Sequence, residues 1–423
     1  MYDILTVYLE NGLRVIMHRI PYVRTMACGI WLRQGSMHED DMTNGLSHLL
    51  EHLMINKENT SNPKLGELMY EVSNEGVVYN AGTTKENTLY YFTGLSRTLE
   101  KCLQTLSGMI VDNKSFNKNL FENEKKVVVQ EAISYYSSFN QIKERSSQAL
   151  WGNTGVGRII VGGIENVRNA KIENIEEIID KAYTPENATL VVIGGIDYHK
   201  TLDIITENFS RWKDKETRKY KEIVESEPGI YFNKTENGKS SVISICFRIP
   251  AYNDGDRHNI EIMSKILGDP GLESRLVQEI RIKRGLAYTI GGFTSFYGSR
   301  GTLGFTAVCE HESVNEVISI MMEEFKRAKE TGFTDEEITR AKRKLETRTL
   351  LELDNMVSQL KFLGKCSSYG HLFSLEQEVR DIQRLERNKI NLTIQDIFKE
   401  ENMGLATIGN FDIDNVLQLL TFN

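Results

Sequence analysis

Two stretches of this chain repeat one another, and the repetition constrains its fold more than any other feature. The run TLVVIGGIDYHKTLDII (189–205) reads as an apolar strand, a glycine turn, an aspartate and an amphipathic helix. LATIGNFDIDNVLQLL (405–420) has the same parts in the same order. Leu190 and Leu405, Gly194 and Gly409, and Asp197 and Asp412 each stand 215 residues apart. A looser second pairing sets MACGIWLRQGS (26–36) beside VISICFRIPAY (242–252). Two pairings in one order point to an internal duplication, with two domains of about 200 residues each. Between the halves, RWKDKETRKYKEIVESEPG (211–229) carries many charges of both signs and closes on Pro228-Gly229, as a solvated connector does. The expected division is therefore 1–210, a linker at 211–229, and 230–423. Strand-like runs and long helical patterns alternate irregularly in each half, which predicts the α+β class with helices on one face of a sheet.

The remaining bulk features exclude more than they assign. A net charge of -8, from 51 basic and 59 acidic residues, argues against a nucleic-acid surface. The five cysteines are scattered, with no C-x-x-C pair, so neither a disulfide framework nor a thiolate metal site is expected. The opening MYDILTVYLENGLRVIMH has no basic start and no apolar core of a leader peptide. It reads as a β-hairpin, with Asn11-Gly12 as a type I′ turn. No apolar run approaches the roughly 18 residues a membrane helix needs. A reduced, cytoplasmic location without a membrane span is expected.

Chemistry concentrates in NGLSHLLEHLM (44–54). On a helix, His48 and His52 lie about 40° apart, one above the other, so two imidazoles can reach one ion from a single face. Glu51 lies about 60° from His48 and about 100° from His52, beside such an ion rather than among its ligands. This is the inverted H-x-x-E-H order, in which the carboxylate can take a proton from a water that a metal has acidified. By chance alone the pattern arises in about one chain in a hundred of this composition, so a third ligand has to come from elsewhere. NLFENEKKVVVQEAISYYSSF (119–139) has no Gly or Pro and suits a long helix. Its Glu124 and Glu131, seven residues apart, lie within about 20° of one helical face. Glu131 stands among Val127, Val128, Ala132 and Ile133, and a carboxylate on so apolar a face wants a partner.

With these residues in view, the chain resembles the inverzincin peptidases, the family of pitrilysin, insulin-degrading enzyme and the mitochondrial processing peptidases, in its short two-domain form. NGLRV (11–15), GSMHED (35–40) and GLSHLLEH (45–52) resemble the family's opening, and YTPENATLVVIGGID (183–197) the end of its first domain. The resemblance covers essentially the whole chain and implies two homologous domains, each a mostly antiparallel sheet. It implies that Glu131 completes the zinc ligands with His48 and His52, and that Glu124 orients Glu131 or His48. In GVVYNAGTTKENTLYY (76–91) it implies an edge strand whose Asn80 and Ala81 pair with substrate main chain. In LESRLVQEIRIKRGLAYTI (272–290) it implies an Arg281 and Tyr288 pair that holds substrate carbonyls from the other domain or subunit.

The resemblance therefore implies a zinc endopeptidase with Glu51 as general base, acting on short or unfolded peptides. The second half has no H-x-x-E-H, its equivalent region being IMSKILGDP (262–270), so one Zn2+ per chain is expected. A chain of this size is expected to dimerise, as a homodimer or with a related subunit. Two further readings are a leader-peptide processing protease working with a partner, and a non-catalytic scaffold subunit. The intact H-x-x-E-H weighs against the scaffold. Three departures touch the substrate pocket: LMINKENTSNP (53–63) where the family has Phe and Gly-Thr, the reduced GDPGLE (268–273), and Ile282 in place of a Glu.

Overall fold

The computed structural model describes residues 4–56, 62–113, 115–213, 226–235, 238–370 and 374–422, so most of the connector at 211–229 lies outside the described residues. The first half runs β1 (Ile4–Tyr8), β2 (Arg14–Arg19), β3 (Thr25–Leu32), α1 (Leu46–Ile55), α2 (Pro63–Asn74), β4 (Val78–Thr83), β5 (Thr88–Leu95), α3 (Leu99–Ser107), α4 (Lys118–Tyr136), α5 (Ile142–Trp151), α6 (Ile164–Asn169), α7 (Ile172–Ala182), β6 (Ala188–Gly194) and α8 (Tyr198–Phe209). The second runs β7 (Ile230–Lys234), β8 (Ser240–Ile249), α9 (Arg257–Gly268), β9 (Ala287–Phe296), β10 (Gly301–Glu310), α10 (Val314–Thr331), α11 (Asp335–Asp354), α12 (Met356–Ser368), α13 (Leu375–Arg384), α14 (Arg387–Ile397), β11 (Met403–Gly409) and α15 (Ile413–Leu417).

With β1 and α2 set aside, the two successions agree element for element. The sheets agree as well. One has the order β1-β2-β6-β3-β5-β4 and the other β7-β11-β8-β10-β9. In each a single pair is parallel, β2 with β6 and β7 with β11, and the other pairs are antiparallel. The repeated aspartates do one job. Asp197 accepts from the Lys200 N–H at 2.9 Å and Asp412 from the Asp414 N–H at 3.0 Å, capping α8 and α15.

The chain packs as two compact units, and neither is contiguous. One is Met1–Ser134, Ile159–Ile223 and Leu351–Leu375; the other is Tyr135–Arg158, Val224–Leu350 and Glu376–Asn423. Helix α5 thus belongs to the second unit and α12 to the first, and these two helices are counterparts in the repeat. In the first unit, most helices bury their apolar faces against one side of the sheet, where Leu49, Leu50 and Leu53 of α1 meet Met26, Cys28, Tyr90 and Phe92. Helix α12 covers the other side, with Leu360 and Leu363 against Trp31, Val191 and Ile193. Arg14 pins it by donating to the Ser367 carbonyl and hydroxyl, both at 2.8 Å. In the second unit, Ile142 of α5 packs on Val242, Ala406 and Ile408. The opposite side holds an aromatic cluster in which Phe247, Phe325 and Phe398 have ring centroids 4.7 to 5.5 Å apart.

The first hairpin departs from its expected form. Only Gly12 adopts a left-handed φ, at 87°, whereas a type I′ turn needs one at Asn11 too. Leu9 N–H donates to Leu13 O at 3.0 Å and Gly12 N–H to Leu9 O at 2.9 Å, closing a three-residue loop that ends on glycine. Asn11 is held by its side chain, which accepts from Leu13 N–H and donates to the carbonyls of Phe209 and Trp212.

Candidate metal centre

Helix α1 is fixed at its start by Glu39, a few residues before it, and by Gly162, far along the chain. The buried Glu39 carboxylate accepts from the N–H groups of Gly45 at 2.8 Å and Ser47 at 2.6 Å, satisfying amides that a helix start leaves open. Gly45 and Gly162 are both left-handed, and a Cβ on Gly162 would lie 2.2 Å from the Gly45 Cα, so the two backbones meet where only glycine fits. From this anchored start α1 buries Leu46, Leu49, Leu50, Leu53 and Met54 and turns His48, Glu51 and His52 away from the deepest core.

The two imidazoles stand edge to face, with ring centroids 4.8 Å apart. Glu131 comes in from α4: its carboxylate lies 3.7 Å from His48 Nε2 and 3.4 Å from His52 Nε2. One donor atom from each of His48, His52 and Glu131 falls within 4.8 Å of the others, and among the described residues no other three His, Cys, Asp or Glu side chains converge so. Two imidazole nitrogens and one carboxylate oxygen are the donor set of a three-ligand zinc site with an open position, so the residues fit that ion. Glu124 faces the other side of His52, 3.4 Å from Nδ1, and not His48. Asn56 donates to its second oxygen at 2.6 Å, so the chain Asn56–Glu124–His52 sets the orientation of that ring.

Charge follows this geometry. The His52 hydrogen bond holds the Glu131 carboxyl below its usual range against the opposing effect of burial. Burial works to lower the His52 pKa, but Glu131, Glu51 and Glu124 outweigh it and raise the value. Burial lifts the Glu51 carboxyl above the usual range, while the Thr83 hydroxyl and His52 favour its anion.

Strand β4 pairs with β5 and forms one edge of its sheet. Thr83, at its end, donates to Glu51 Oε2 at 2.6 Å, tying the carboxylate to the edge strand. Asn80 and Ala81 lie on this strand, and the Ala81 N–H donates to the Asn80 side-chain oxygen at 2.8 Å. Arg281 and Tyr288 belong to the second unit. Arg281 lies on a π-helical turn, Val277–Ile282, and its guanidinium sits 4.7 Å from the centroid of the Tyr288 ring, which is 80% exposed. Sequence reasoning missed Thr83 and Asn56. Each acts through hydrogen bonding across a fold-dependent gap. Only the spacing of Thr83 from Asn80-Ala81 along the strand could have drawn attention to it.

Among the described residues no helix is long and apolar enough to cross a membrane. The family model described as Insulinase (Peptidase family M16) matches residues 14–163, and that described as Peptidase M16 inactive domain matches residues 169–345. An uncharacterized zinc protease of Bacillus subtilis, YmxG, is 26% identical over 408 residues, covering 95% of this chain and 97% of that protein. The mitochondrial-processing peptidase subunit beta of Dictyostelium discoideum is 26% identical, covering 89% of this chain and 84% of its own length. The crystal structure of a protease from Helicobacter pylori superposes with a TM-score of 0.86 at 20% identity, over 96% of this chain and all of that one. The likeness extends through both halves, with the candidate metal constellation in the first and, among the described residues, none in the second, and this family background supports a zinc protease-like function. The chain belongs to peptidase family M16, the insulinase or pitrilysin family, in its short two-domain form.

Proposed function

We propose that the chain is a zinc-dependent endopeptidase of short or unfolded peptides, with one zinc ion per chain. The observation that carries this reading is the convergence of His48, His52 and Glu131 beside a Glu51 that is tied to a free sheet edge. His48 and His52 through imidazole nitrogens, and Glu131 through a carboxylate oxygen, hold the ion. When bound, zinc supplies a Lewis acid that acidifies a water and polarises the scissile carbonyl. Glu51 accepts the proton of the attacking water and returns it to the leaving amine, a double duty suited to a carboxyl that burial lifts above its usual range. Thr83 keeps that carboxylate aimed. The edge strand takes the peptide as an added strand at Asn80 and Ala81, which demands an extended backbone and so excludes folded domains. Arg281 and Tyr288 hold substrate carbonyls and stabilise the negative charge that develops on the reacting oxygen.

Action in the cytoplasm as a homodimer completes this reading. A second reading, a precursor-processing protease that needs a partner subunit, draws support from the relative named as a peptidase subunit. Incubation of the zinc-loaded chain with a mixed pool of unstructured peptides, with Glu51→Gln as control, separates them. Cleavage by the chain alone, lost in the variant with zinc retained, supports the first. One zinc per chain without cleavage moves the assignment to the second or to a scaffold role, and failure to bind zinc overturns both peptidase readings. Sedimentation of the active species tests the dimer, which a fully active monomer would exclude.

A further inference from the structure

Gly82 lies within the free edge strand with no local reason to be glycine. Its φ is outside the left-handed region, and a Cβ built on it meets no atom of the described residues within 4 Å. A glycine inside a strand forfeits packing and conformational restraint, and where the backbone does not require it, it marks a place another group approaches. Some other strand glycines of this chain face an aromatic residue across the ladder, whereas others, such as Gly94 and Gly291, pair with Met26 and Thr306. Gly29 of β3 pairs with Tyr91 of β5, and Gly304 of β10 pairs with Phe293 of β9. The Phe293 ring comes within 2.3 Å of where a Gly304 Cβ would stand, so it occupies the space the missing side chain leaves. Gly82 pairs with Leu89 of β5 on one side, and on its other side, among the described residues, the sheet ends.

The two faces of β4 differ. Thr83 reaches Glu51, and Tyr79 and Ala81 pack on the same core as α1. Gly82 alternates with these residues and shares the opposite face with its partner Leu89, which packs beside Tyr91. In a peptide laid along this edge, the residues opposite Ala81 and Thr83 turn toward Glu51. The residue between them, opposite Gly82, turns toward the Leu89 face. We propose that Gly82 forms a specificity subsite, receiving an aromatic or large aliphatic side chain of the peptide that lies over the glycine as Phe293 lies over Gly304. The inference rests on the peptidase reading only for the nature of the ligand, an extended peptide.

The test uses zinc-loaded Glu51→Gln protein, so that binding is read without cleavage. Fluorescently labelled peptides of Ala, Ser and Thr, with a single Phe moved along the sequence, are titrated by anisotropy. One Phe position is expected to bind about fivefold more tightly than its all-small counterpart, the upper range for a cross-strand aromatic pair. Adding Gly82→Thr should reduce that ratio to about one, and Gly82→Ala should fall between. The Cβ that both substitutions add meets no atom of the described residues within 4 Å, and the φ there suits a side chain, so both variants should fold. No Phe preference at any position, or a preference unchanged in Gly82→Thr, overturns the subsite and leaves the peptidase reading to its cleavage test. A Gly82-dependent preference in a protein whose native form cleaves nothing sustains the subsite and moves the functional assignment to the partner-dependent or scaffold reading. Absence of any peptide binding overturns both.

Discussion

Replacing Thr83 with Val removes one hydroxyl from the candidate site and keeps the β-branched shape that fits a strand. The lost interaction is the 2.6 Å hydrogen bond to Glu51 Oε2, made to a half-buried carboxylate already lifted by burial. A hydrogen bond to a charged group contributes about 1.5 to 3 kcal/mol, and its lower bound corresponds to about one pKa unit. The sign is upward, because the hydroxyl favours the ionised carboxyl and its removal favours the protonated one. Glu51 has to be ionised to accept a proton from water. The acidic limb of the kcat/KM–pH profile on an unstructured peptide should therefore move up by about one unit in Thr83→Val. At pH values above the limb, a smaller loss, at most about tenfold, reflects the freed carboxylate orientation. Thr83→Ser, which keeps the donor, should restore the limb, and zinc content measured alongside should be unchanged in both variants. An acidic limb that stays in place with a plateau within about twofold of the native value would refute the argument that Thr83 sets the state and aim of Glu51.

Three other substitutions or conditions follow from the same geometry. Asn56→Ala frees Glu124, and with it His52, so zinc affinity in a chelator competition should fall about tenfold, whereas an unchanged affinity would divorce Asn56 from the site. In chelator-stripped protein the His52–Glu131 pair stabilises the fold within a bounded pH window. The Glu131 share, from a lowered pKa, is lost as pH falls through its folded value; the His52 share, from a raised pKa, is lost as pH rises through its own. The melting temperature of the native chain relative to His52→Gln should thus be highest at about pH 5 to 6.5 and decline on both sides, and a flat difference would count against the pair. In Gly364→Ala the new Cβ would fall 2.2 Å from the Trp31 indole, so α12 has to shift from its sheet. Overpacking of this kind costs about 1 to 3 kcal/mol, readable as a lower urea midpoint, and an unaltered midpoint would show α12 to be loosely seated.

The legible part of the site was the part that local geometry controls. His48 and His52 share a helical face because they are four residues apart, and Glu124 and Glu131 because they are seven apart, wherever those helices go. Sequence spacing could not say which acid would meet which ring. That depends on the angle at which α4 approaches α1, which brings Glu131 to both Nε2 atoms and sends Glu124 behind His52. The Asn11-Gly12 turn shows the converse. The dipeptide announced a hairpin correctly, but the claim of Phe209 and Trp212 on the Asn11 side chain, some two hundred residues away in sequence, changed the kind of turn.

By itself the sequence determined the repeated order of elements, the aspartates that stand before α8 and α15, and the shared helical face of His48 and His52 on α1, all consequences of local order and periodicity within a few turns of chain. The tertiary structure alone decided that α5 and α12 change places between the two compact units. An amphipathic helix specifies that one face must be buried, and two homologous sheets offer it equivalent apolar surfaces. Contacts such as Trp31 against Gly364 and Ile142 against Val242 and Ala406 settle the choice only once the chain has folded.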